Sequence, residues 1–167
     1  MLAVLLPIAT AIGSALVAVA GTYWTMRRGE ARRRAGLLSA LIVELTDNVV
    51  KAQSLADNRL SSMGTFSDAV YREYRVELAQ FVPVDLQTEL MNRYQELESM
   101  RIFRDDLLGG KDPECAARDL TAWSQRLIEL QRELLALPDA SRIRKRWPDA
   151  LDRLDRAKQA LSPGGGK

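Results

Sequence analysis

The chain has no histidine, a single cysteine (Cys115), and aromatics at only 6% of its 167 residues. Without histidine it lacks the commonest metal ligand and the side chain that titrates nearest neutrality. One cysteine closes no internal disulfide, which suits a reducing compartment. No run of β-branched residues alternates with polar ones, so nothing reads as an exposed strand. The formal net charge is only +2, so the sequence pI of 8.8 reflects local basic clusters and not a global field. Catalytic signatures are missing too. Gly109-Gly110-Lys111 lacks the upstream glycine and the following Ser or Thr of a phosphate loop, and there is no nucleophile elbow, CxxC or HExxH. The carboxylate pairs Glu73/Glu77, Glu96/Glu98 and Asp152/Asp155 lie among arginines and read as solvated ion pairs. Asp105 and Asp106 stand near Arg101 and Arg104 and do not suggest a metal site. The expectation is a non-enzymatic protein with no cofactor and no metal.

Charge is missing altogether from residues 1–26; all 24 basic and 22 acidic residues follow Met26. As a helix, residues 2–26 would reach roughly 37 Å, enough to cross a hydrocarbon core of about 30 Å with some tilt. Tyr23 and Trp24 fall where an interfacial aromatic belt would lie, and Arg27, Arg28, Arg32, Arg33 and Arg34 follow at once. This order predicts a transmembrane anchor over residues 1–26, N-terminus outside, with a basic juxtamembrane segment over 27–36 touching membrane lipid at the inner face. The rival is a cleaved signal peptide, for which Ala18-Val19-Ala20 offers a small-x-small site. Against it stand the absence of basic residues ahead of the apolar run, the length of that run, and positive charge on the wrong side for export. Small residues recur every four positions (Ala9 and Gly13; Ala11 and Ala15; Ser14, Ala18 and Thr22). That spacing reads equally as a packing face for a membrane partner or a homo-oligomer, and as the ordinary composition of spans.

Beyond the arginines the vocabulary is helical. Leu38, Leu41, Ile42, Leu45, Val49, Ala52 and Ala56 form an apolar stripe, with Glu44, Asn48 and Lys51 beside it as a solvated flank. Gly29 and Gly36 weaken the junction by about 1 kcal/mol each relative to Ala, so a kink or hinge is expected there. A loop at residues 61–64 leads to a helix capped by Thr65 or Ser67 and faced by Val70, Tyr74, Leu78 and Phe81, with Pro83 closing it. The next stripe runs Leu86, Leu90, Tyr94, Leu97, Met100 or Arg101, Phe103 and Leu107, and Gly109-Gly110 stops it. Asp112-Pro113 then starts the cleanest pattern: Ala116, Leu120, Trp123, Leu127, Leu130, Leu134 and Leu137, spaced four and three. A seam of about three heptads closes an intramolecular bundle more readily than an independent coiled coil. Pro138 ends it. A last helix starting at Arg146-Trp147-Pro148 carries Leu151, Leu154, Ala157 or Lys158, and Leu161, and residues 162–167 form a flexible tail. The fold class is therefore all-α: one transmembrane helix continuing into a cytoplasmic antiparallel bundle of four or five helices over residues 37–161.

Arg142, Arg144, Lys145 and Arg146, with Trp147, make a second basic cluster, a candidate patch for a partner or an anion. Arg outnumbers Lys 19 to 5 in this chain, and no nucleic-acid motif surrounds the cluster. The run RRRAGLLSALIVELTDN after an apolar segment, followed by FSDAVYREYRVELAQFVPVDLQTELMNRYQELE, resembles a pattern in small bacterial single-span membrane proteins with a cytoplasmic helical domain. The resemblance covers residues 32–98; it implies that architecture and brings no activity or catalytic residue with it. The functional expectation is a membrane-anchored accessory or scaffold protein that mediates protein–protein contact at the inner membrane face. The alternatives are a helical signalling protein hinged at Gly29 and Gly36, and a membrane-surface nucleic-acid binder using Arg142 to Arg146.

Overall fold

Every element in the computed structural model, which describes residues 2–57, 65–109 and 113–160, is helical; no strand occurs among these residues. Six α helices follow in order: α1 (Leu2–Ala56), α2 (Ala69–Leu78), α3 (Val84–Leu108), α4 (Pro113–Ala136), α5 (Ser141–Arg146) and α6 (Ala150–Ala160), with a 3₁₀ turn at Pro138–Ala140. The all-α bundle expected from periodicity is present. The chain divides into two units, Met1–Arg34 and Ala35–Lys167.

In the first unit, the side chains before Ala20 lie outside the described residues, and the expected span rests largely on them. Among the described residues no helix is long and apolar enough to cross a membrane. The small-residue face of Ala9, Ala11, Gly13, Ser14, Ala15 and Ala18 likewise lies outside the described side chains, as do the loop at 61–64 and the tail at 162–167.

In the second unit the apolar stripes meet as the spacings require. Leu38, Leu41, Ile42, Leu45, Val49, Ala52 and Leu55 of α1 are buried together with Leu90 and Leu97 of α3. The seam of α4 is buried from Ala116 to Leu134, with Leu137 packed at its edge. Ile128 and Leu135 widen that stripe beyond a strict a/d seam, which lets α4 pack against α3, α5 and α6. Leucines meeting leucines at 3.6-residue periodicity account for most of this arrangement. The ends are set by local chemistry. Gln87 Nε2 donates to the carbonyls of Val82 (2.6 Å) and Ala79 (3.1 Å), which closes α2 just before Pro83.

Two differences from the sequence pattern stand out. The segment expected to open the last helix is split: residues 141–146 are a short helix of their own, Trp147 and Pro148 lie between helices, and α6 starts at Ala150. A proline one residue after Trp147 removes a backbone donor and disfavours helical geometry before it, so the chain restarts beyond it. The second difference concerns the junction glycines, because α1 continues unbroken through Gly29 and Gly36. An added Cβ at Gly36 would meet nothing within 4 Å among the described residues. Gly36→Ala should therefore stabilise the helical domain by about 1 kcal/mol, read as a higher urea midpoint with an unchanged slope.

Candidate functional site

Three surfaces or clusters concentrate polar chemistry. The first is the arginine collar on α1. Tyr23 and Trp24 are 58% and 59% exposed, and Met26 stands out beside them. The Arg27 guanidinium lies 5.1 Å from the Tyr23 ring centroid, and that of Arg28 lies 4.6 Å from the Trp24 ring. Both pairs follow from four-residue helical spacing, which stacks side chains one turn apart. Arg32 and Arg33 are exposed, and Arg34 reaches Glu30 at 4.0 Å. The structure thus brings Tyr23, Trp24, Arg27, Arg28 and Arg34 of the predicted interface into defined contacts.

The second cluster was hidden in the sequence, where Glu44, Asn48 and Lys51 look like a solvated flank. They are instead a comb of polar side chains gripping residues 65–71. Glu44 is buried and accepts from four donors: the backbone N–H of Val70 (2.8 Å) and of Tyr71 (3.3 Å), the Ser67 hydroxyl (2.9 Å) and the Tyr94 phenol (2.6 Å). Asn48, fully buried, donates to the Ser67 carbonyl (2.7 Å) and accepts from its N–H (2.8 Å). Lys51 donates to the Thr65 carbonyl (3.1 Å), and Arg101 of α3 donates to that of Phe66 (3.2 Å). Of the two capping side chains expected, Ser67 contributes only a long bond, its hydroxyl accepting from the Ala69 N–H at 3.4 Å; the N-cap residue itself is Asp68, whose side chain makes no cap hydrogen bond. A carboxylate more than two dozen residues upstream satisfies the orphan N–H groups and sits favourably at the positive end of the helix dipole.

Tyr94 stacks on Tyr71 with ring centroids 4.3 Å apart and planes within 3°. Burial first, then its hydrogen bond to Glu44, push the Tyr94 phenol far above its ordinary value. Burial also raises Tyr71, against the nearby positive charge of Arg75. With four donors on two oxygens, Glu44 holds structure and has no lone pair free to take a substrate proton. In an unfolded chain Tyr94 would ionise near pH ~10. Its contribution is therefore fully present below that pH and is lost as pH rises toward the raised folded value, by about 1.4 kcal/mol per pH unit. Urea midpoints between neutrality and strong alkali should fall above that pH, and Tyr94→Phe should flatten the decline.

The third surface is the predicted patch at residues 142–147, and the structure divides it. Arg144 turns inward, donating to the carbonyls of Leu135 and Leu137 (3.0 Å to the latter), and so caps the C-terminus of α4. Arg142, Lys145 and Arg146 remain exposed, and Trp147, itself 40% exposed, lines a groove with residues of α1 and α4. Elsewhere on the surface, Val76, Val84 and Met91 are exposed around a groove of about 700 Å³ between α2 and α3. Among the described residues, no three His, Cys, Asp or Glu side chains are grouped as a metal would require. Arg104 pairs with Asp105 at 2.6 Å, whereas Arg101 is committed to Glu98 and Asp68. Comparison with protein-family models, curated proteins and solved structures finds no match to this chain.

Proposed function

We propose that this chain is a non-catalytic accessory or scaffold protein, tethered by its N-terminal apolar helix and holding a partner protein, or further copies of itself, at the cytoplasmic face of a membrane. The observation that carries this reading is the collar. A charge-free stretch of the sequence over residues 2–26 ends on two aromatic rings, each more than half exposed and each stacked against an arginine one turn later. Such a sequence, with amphipathic rings at headgroup level and cations just beyond, fits an inner-face boundary with the N-terminus outside. Each arginine near an anionic surface contributes about 1 kcal/mol. The exposed Val76, Val84 and Met91 support the partner-holding half of the reading, because apolar side chains clustered on a surface favour protein contact.

Three measurements test the two halves separately. In membranes from cells expressing the full chain, the protein should resist extraction by high salt and alkaline carbonate and be released by mild detergent; release by carbonate would overturn the anchor. A reporter fused after Lys167 should be active only on the cytoplasmic side, and activity on the other side would favour the signal-peptide alternative. Purified in mild detergent, the native protein should carry a stoichiometric partner or self-associate; finding only bare monomer would remove the scaffold role.

A further inference from the structure

The groove beside Trp147 has a construction that scaffolding alone does not explain. Its volume is about 520 Å³, within the range of small-molecule sites. Ile42, Val43 and Val50 of α1, Leu135 of α4, and Trp147 and Leu154 supply apolar walls. Among its polar lining residues is Gln131, which is only 1% exposed. Its Nε2 finds no acceptor among the described residues. Its Oε1 lies 3.4 Å from the Thr46 hydroxyl, whose proton is better placed on the Ile42 carbonyl at 2.7 Å. A buried carboxamide with unused donors is destabilising, a cost that an occupant bearing an acceptor would recover. At the rim, Asp47 pairs with Lys51 and Asp149 with Arg153, each at 2.6 Å, so the opening offers no net charge to select an ion.

We propose that this groove binds a neutral medium-chain aliphatic amphiphile, its chain against the Val43–Val50–Trp147 wall and a carbonyl oxygen accepting from Gln131 Nε2. The chemistry that discriminates is the pairing of an apolar chain with a single acceptor. A hydrocarbon fills the walls and leaves Gln131 unpaired, and a charged headgroup gains nothing from a rim already neutralised. The inference is independent of the membrane anchor, since every residue in it belongs to the unit Ala35–Lys167.

The test uses the full chain in lipid nanodiscs, titrated with methyl hexyl ketone and, in parallel, with octane, which has the same backbone length and no acceptor. Empty nanodiscs correct for partition into lipid. The ketone should produce saturable amide and side-chain NMR shifts confined to the groove, with a downfield shift of the Gln131 carboxamide protons that octane does not produce. Gln131→Leu, which fills the same space without polar groups, should weaken ketone binding about 3–10-fold relative to octane, the loss expected for one hydrogen bond. Val43→Trp, made at an exposed position, should block both probes while the fold is retained. The proposal fails if neither probe saturates at the groove, or if Gln131→Leu leaves the ketone-to-octane ratio unchanged. It also fails if the chain forms a dimer that Val43→Glu dissociates, which would give the groove to a second copy.

Discussion

Glu44→Ala should destabilise the helical domain by about 3–5 kcal/mol, a large part of what an ordinary domain has. The size of the effect comes from the donors left behind. Removing the carboxylate strands two backbone N–H groups at the start of α2, the Ser67 hydroxyl and the buried Tyr94 phenol. Each buried donor without a partner costs about 1–3 kcal/mol, reduced here for the N–H groups that water can reach. Local capping is weak, because the Ser67 hydroxyl accepts only the Ala69 N–H, at 3.4 Å, and the N-cap side chain of Asp68 makes no cap hydrogen bond. Arg72 and Arg101 already hold that carboxylate at 2.5 and 3.9 Å. Glu44→Gln should cost less than the alanine variant but still destabilise, since one of its two terminal groups is a donor facing donors. Urea unfolding gives the magnitude, and amide exchange at Val70 and Tyr71 gives the location. If Glu44→Ala costs under about 1 kcal/mol, with no faster exchange at the start of α2, then the carboxylate is not what starts that helix.

This cluster also marks the limit of what the sequence alone reveals. The stripes of α1, α3 and α4 are legible because burying a leucine face against another leucine face needs only periodicity, and Leu120, Trp123, Leu127, Leu130 and Leu134 are buried as their spacing requires. Pro113 marks the start of α4 for a reason carried by a single residue. Glu44, Asn48 and Lys51 differ, because whether such a flank faces water or a strap of backbone depends on a segment 14 to 27 residues away. Their four- and three-residue spacing was the available signal, but spacing does not name the partner. The basic cluster misleads for the opposite reason. Four cationic side chains in five positions suggest one patch, yet helix α5 turns Arg144 toward the free carbonyls closing α4 and leaves its neighbours outside. The groove was invisible in sequence: Thr46, Gln131 and Trp147 share no pattern and are brought together only by packing.

Trp123→Ala should produce a loss of similar size, about 3–5 kcal/mol, and it tests how the core and the polar comb depend on each other. Trp123 is 1% exposed, and the edge-on contact with Phe66 has centroids 5.1 Å apart at 68°. Phe66 belongs to no helix. It reaches the core because the residues around it are tied down, Ser67 by Asn48 on both its N–H and its C=O, and Phe66 itself through its carbonyl by Arg101. The strap is therefore held from two sides, by an aromatic wedge underneath and by hydrogen bonds along its backbone. Removing either support loosens the geometry that the other needs, so Trp123→Ala and Asn48→Ala should be non-additive by more than about 0.5 kcal/mol. The indole N–H of Trp123 has no acceptor among the described residues, which makes Trp123→Phe much milder than alanine: it gives up ring area but also removes an unpaired donor. Strict additivity of the two alanine variants would mean that Phe66 stays in place without its hydrogen bonds, and that the comb serves α2 alone.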